Sequence, residues 1–150
     1  MRIVLDTNIL ARATPGRSGP AVEVLLRAIA APHLLVLSLP LLSELSRVLR
    51  YERVRRIHGL DNGQLVQYIT HLQENALMVD IEEQPPAVVP HDPDDDPVVA
   101  TAIAGKADVV CMLDRHLHNP TVRVYCEQHG IRIMTDAELL ALLREAESVQ

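Results

Sequence analysis

Five short apolar runs, each followed by a stretch with helical or turn character, limit what this chain can fold into more than any other feature of its sequence. The runs are residues 2–5, 34–37, 77–81, 109–113 and 131–134. Strands buried on both faces read as near-continuous apolar segments. Alternated with helices of about ten residues or more, they build a parallel sheet covered on both sides. The expected fold class is therefore α/β with a mainly parallel central sheet.

The intervening stretches carry the 3.6-residue period. Val22, Leu25, Leu26 and Ile29 fall at i, i+3, i+4 and i+7, which predicts a helix over 20–31 capped from Ser18 or Gly19. Ser38 before Pro40 is a cap and first-turn pair for a helix with Leu41, Leu45, Val48 and Leu49 on its inner stripe. Asp61-Asn62-Gly63 opens a third helix through Leu65, Tyr68, Ile69 and Leu72. A further helix is expected over 97–104, ending at Gly105, and Thr135-Asp136-Ala137-Glu138 is a capping box for a terminal helix bearing Leu139, Leu140, Leu142 and Leu143. Asp6-Thr7-Asn8 favours a turn and is expected as a loop, as is the proline-bearing stretch 82–90.

At 150 residues the chain has the length of one domain, expected to span 1–150 around one core. Hydrophobic residues at 48% and charged ones at 23% exclude intrinsic disorder. The net charge of -6 excludes a uniformly basic nucleic-acid surface. Three tyrosines without Phe or Trp exclude an aromatic base-stacking platform. Cys111 and Cys126 have neither zinc nor disulfide-framework spacing. With no apolar run long enough to span a bilayer and an acid at position 6, the expected location is cytoplasmic, away from membranes.

In open parallel sheets ligands bind at the carboxyl ends of strands, so acids there carry the most information. Asp6 closes the first strand and Asp114 the fourth. The run Asp92-Pro93-Asp94-Asp95-Asp96 precedes the helix after the third, and Glu44 sits one turn into the helix after the second. Each has a plain structural alternative: a turn former at Asp6, a dipole-favoured acid at Glu44, a helix cap with solvated neighbours in the aspartate run. Four segments meeting at one edge would crowd carboxylates that repel unless a cation neutralises them. That implies a divalent metal, and oxygen ligands favour Mg²⁺ or Mn²⁺.

Asp6-Thr7-Asn8-Ile9-Leu10 after the first strand, Ser43-Glu44-Leu45 with Val48-Leu49, Asp92-Pro93-Asp94-Asp95 leading to residues 100–108, and the strand ending at Asp114-Arg115 together resemble a PIN domain. The likeness covers residues 1 to about 140 and is to the branch of VapC-like toxins of toxin–antitoxin pairs. It implies a three-layer α/β/α sandwich with Rossmann-like topology and a metal-dependent endoribonuclease using one or two Mg²⁺ or Mn²⁺ ions. It further implies RNA as substrate, a homodimer, and a small cognate antitoxin as partner.

By the family's motifs the four acids are Asp6, Glu44, Asp95 and Asp114, with Asp92 and Asp96 as alternatives within the run and Thr7 and Asn8 orienting the first carboxylate. Two positions depart from the pattern: Met112 stands where relatives carry Ser or Thr, and His116 where an acid is common.

An acidic site must still hold a polyanion. Arg47, Arg50, Arg53, Arg55 and Arg56 fall within a span of ten residues just after Glu44, and guanidinium groups pair well with phosphate. Arg47, Arg50, Arg53 and Arg56 form the candidate RNA track; a solvated helical face is the alternative. Two other readings remain open. One is a metal-dependent phosphatase or receiver on an α/β scaffold, against which stand the missing second aspartate in Asp6-Thr7-Asn8 and a last lysine as early as Lys106. The other is a PIN-like RNA- or partner-binding module with weak or lost activity, suggested by Met112 and His116.

Overall fold

A computed structural model describes residues 1–81, 96–113 and 119–149, with the side chain of Asp96 excepted. Five strands form one all-parallel sheet in the order β3-β2-β1-β4-β5, where β1 is Arg2–Leu5, β2 Leu34–Leu37, β3 Ala76–Met78, β4 Val109–Cys111 and β5 Arg132–Met134. Helices flank the sheet in an α/β sandwich: α1 (Thr7–Arg12), α2 (Pro20–Ala28), α3 (Leu39–Leu49), α4 (Glu52–His58), α5 (Asn62–Glu74), α6 (Asp96–Ala104), α7 (Pro120–Gln128) and α8 (Asp136–Ser148). Ile3, Val4 and Leu5 of the central strand are inaccessible, as are Leu35 to Leu37 and Val109 to Cys111, which is why these strands lack polar alternation.

Strand lengths follow from their partners. β3 pairs Ala76, Leu77 and Met78 with Leu35, Val36 and Leu37. The expected strand over 77–81 therefore begins one residue earlier and stops sooner, because β2 ends at Leu37 and Ser38 turns the chain into α3. β4 ends at Cys111, opposite Leu5, because β1 likewise turns into a helix after Asp6. Met112 continues only toward β5, donating its N–H to Met134 O at 2.9 Å.

The loop expected at Asp6-Thr7-Asn8 is instead a helix start. Asp6 is the extended N-cap of α1, and its carbonyl accepts from Ile9 and Leu10 N–H. Cap and turn formers share a composition, and six residues are too few for a periodic signal. The helix stands because Ile9 and Leu10 are fully buried and α1 packs against α3.

α2 also differs from expectation: it stops at Ala28, and its buried face is Ala21, Val24, Leu25 and Ala28, while Leu26 is 57% exposed. Small residues let this helix lie close to α8 and the sheet, so the stripe is rotated toward alanines that a hydrophobicity count underweights. α3 is capped by Ser38, whose hydroxyl accepts from Leu41 N–H, and the Thr135–Glu138 capping box forms as expected.

Candidate active site

The carboxyl edge of the sheet is built by the turns that leave its strands. β1 is the switch strand, with β2 on one side and β4 on the other, and open α/β sheets bind ligands in the crevice at such a point. Asp6 stands there. Its residue is 1% exposed, its backbone N–H donates to Cys111 O at 3.0 Å, and its side chain makes no cap bond to the helix it opens. Thr7 Oγ1, also buried, donates to Asp6 Oδ1 at 3.3 Å and so holds one carboxylate oxygen in place. Asn8, half-buried, has no such contact among those described.

Glu44 is the sixth residue of α3, half-buried beside the inward stripe of Leu41 and Leu45, with Oε2 shielded from solvent. Because α1 packs on α3, the segments bearing Asp6 and Glu44 run alongside each other. α3 is fastened in turn to α6. Ser38 Oγ lies 2.7 Å from Thr101 Oγ1, both hydroxyls are inaccessible, and Thr101 Oγ1 donates to Pro97 O at 2.5 Å. With its own proton spent on Pro97, Thr101 accepts from Ser38, and Ser38 accepts from Leu41 N–H. The sequence reading saw Ser38 only as a cap and missed this pairing, which spans 63 residues.

Two further acids at this edge were also missed. Cys111 sits at the end of β4, and its thiol is pushed well above the ordinary range, first by burial and then by the negative charges of Asp136, Asp6 and Glu138. Asp136 and Glu138 open α8 directly after β5. They therefore share an electrostatic neighbourhood with Asp6 at the carboxyl edge. The strand-end rule that picked out Asp6 applies equally to Asp136, but the capping box gave these residues a sufficient local explanation.

Asp92, Asp95, Asp114 and His116 lie outside the described residues, as does the side chain of Asp96, whose backbone begins α6. Among the described residues no three His, Cys, Asp or Glu side chains form a group able to hold a metal ion. Met112 is fully buried, so packing accounts for an apolar residue at that position.

The arginines divide. Arg47 and Arg50 line a groove between α3 and α5. On α4, Arg56 pairs with Glu52 at 2.6 Å, and Arg55 donates to Asn62 Oδ1 at 2.5 Å. Arg53 is exposed on the same helix.

A family model for the PIN domain matches residues 2–116, most of the chain. The chain belongs to the PIN-domain family. PIN domains are generally nucleases that act on RNA and usually bind divalent metal ions. A comparison with curated proteins returned no match. No helix among the described residues of this PIN domain is long and apolar enough to cross a membrane.

Proposed function

We propose that this PIN domain is a metal-dependent endoribonuclease and the toxin of a toxin–antitoxin pair. The observation that carries the reading is the buried Asp6 carboxylate at the switch point of the sheet, in a region made negative by Asp136 and Glu138 as well. A carboxylate withdrawn from water at that point, close to further acids, suits a cation better than an anionic or apolar ligand. Asp6, Glu44, Asp95 and Asp114 would hold one or two Mg²⁺ or Mn²⁺ ions, with Asp92 and Asp96 as alternatives in the aspartate run. A divalent ion supplies charge neutralisation at the phosphodiester and lowers the pKa of a water for in-line attack.

The chain's own part is placement. Thr7 orients the Asp6 carboxylate, and the Ser38–Thr101 bond ties the N-cap of α3 to the middle of α6. The whole chain, 1–150, acts as one domain in the cytoplasm, as a homodimer with a small cognate antitoxin.

The test is cleavage of a labelled RNA by purified protein in Mg²⁺, in Mn²⁺ and in chelator, with Asp6→Asn and Glu44→Gln beside the parent. Cleavage in either metal, lost in chelator and in Asp6→Asn, supports the reading; chelator-resistant cleavage, or none in either metal, overturns it. The toxin role is tested in cells: induced expression should arrest growth, and Asp6→Asn should relieve the arrest.

A further inference from the structure

Resting on that ribonuclease reading, the geometry points to the groove between α3 and α5 as the track that carries single-stranded RNA away from the catalytic edge. The groove holds about 630 Å³ and has two helical walls. On α3, Ser43, Ser46, Arg47 and Arg50 recur at i, i+3, i+4 and i+7; on α5, Thr70 and Gln73 face them. Among the described residues no acid lines it, in a chain whose net charge is -6. Two guanidinium groups with hydroxyl and amide donors are the chemistry of a sugar–phosphate backbone.

Arg50 Nη1 donates to Ser46 of its own turn, to its carbonyl at 3.0 Å and to its hydroxyl, which holds the guanidinium along the groove wall. Leu39 and Val66, 63% and 54% exposed, give the groove an aliphatic flank on which a base or ribose can rest without an aromatic platform.

Continuity with the catalytic edge separates RNA from an acidic peptide as occupant. Leu39 is the first residue of α3, directly after the Ser38 turn at the carboxyl end of β2. Leu39 and Ser43 also line an adjoining cleft of about 480 Å³, whose far wall is Val79, Asp80 and Ile81 beyond β3. From there α3 runs about 16 Å to Arg50, carrying Glu44 within that length. A strand engaged at the edge thus has a path along the same helix, with cations at the far end and Asp80 the one acid among the described residues of the cleft at the near end. The arginines of α4 lie outside that path, and two of them pair with Glu52 and Asn62.

The probe is a fluorescein-labelled 12-mer of uridine, read by anisotropy in chelator so that it stays intact. Arg47→Glu/Arg50→Glu should weaken binding more than tenfold and lower the slope of log affinity against log salt by about 1.4, two phosphate contacts on a single strand. Thr70→Glu, on the opposite wall, should weaken it several-fold; Arg53→Glu/Arg56→Glu on α4 should weaken it less than the α3 pair does. Each variant is required to melt as the parent does; where Thr70→Glu does not, Gln73→Glu takes its place.

Unchanged binding in both wall variants, or a larger loss from the α4 pair, overturns the track. So does binding of poly-L-glutamate in place of oligouridine, abolished by Arg47→Glu/Arg50→Glu, which would assign the groove to an acidic polypeptide. The nuclease reading fails separately, through the parent's cleavage in Mn²⁺: a parent that cleaves while both wall variants bind and cleave with parental KM loses only the groove.

Discussion

The two edges of the sheet handle charge in opposite ways. At the amino edge several charged groups meet partners. Arg2 N–H donates to Asp108 Oδ2 at 2.7 Å and its guanidinium to Gly105 O at 2.9 Å, while the N-terminal amine meets His33 Nδ1 at 3.1 Å. Arg27 and Arg144 on α2 and α8 pair with Glu147 and Glu23, each at 2.9 Å. At the carboxyl edge negative charge gathers instead: Asp6, Asp136 and Glu138 act together on the thiol at the end of β4. One edge is closed by its own chemistry. The other brings several carboxylates of the described residues toward one place, a setting that suits a divalent cation.

Asp6→Asn should break this contrast most visibly. It is expected to lower RNA cleavage in Mn²⁺ on the order of 10³-fold and, in chelator, to leave the melting temperature at or above the parent's, since it removes charge from a crowded edge. A clear fall in melting temperature in chelator would mean that Asp6 holds the fold and that the contrast between the edges fails.

Gly105→Ala probes the amino side by bulk alone. A Cβ there would collide with Val36 Cγ1 and press on Thr101 O at 3.2 Å. Urea unfolding should show a loss of roughly 1–3 kcal/mol, with cleavage per folded molecule unchanged. A variant as stable as the parent would show that α6 can move off β2 freely.

The cysteines compare the electrostatics of two places in the fold. Burial and three acids push Cys111 up; burial with Glu127 pushes Cys126 up to about 11. The native chain keeps both thiols protonated while the unfolded chain ionises them near the ordinary thiol value, so their contribution is full below that value and shrinks as pH rises through it. Melting temperature should fall from about pH 8.5 to 11, less steeply in Cys126→Ala and least steeply in Cys111→Ala. Equal slopes in the parent and both variants would remove the claim that the carboxyl-edge thiol feels the extra acids. The smallest effect is expected from Arg144→Ala, an exposed pair worth about 1 kcal/mol or less in urea unfolding, with no effect on cleavage.

Legibility in the sequence followed the kind of interaction. The sheet was readable because strands buried on both faces have little choice of residue, as Ile3 to Leu5 and Val109 to Cys111 show. α1 was not, since Asp6, Thr7 and Asn8 suit a loop as well as a cap and only tertiary burial of Ile9 and Leu10 decides between them. The α2 face was misread because packing there chose alanines over Leu26. At the edge, Asp6 could be found from its place after β1, whereas Asp136 was hidden by a motif that explained it locally. The Ser38–Thr101 bond carries no sequence signature, because its two halves are ordinary residues that meet only in the folded chain.

That bond makes a latch of two hydroxyls and one carbonyl. Residues 38 and 101 belong to segments that leave and approach the sheet at different points, yet a shift of α6 at Thr101 would drag the first turn of α3 along. A disturbance arriving through either segment would be felt by both, so distant stretches of this chain respond as a single mechanical part.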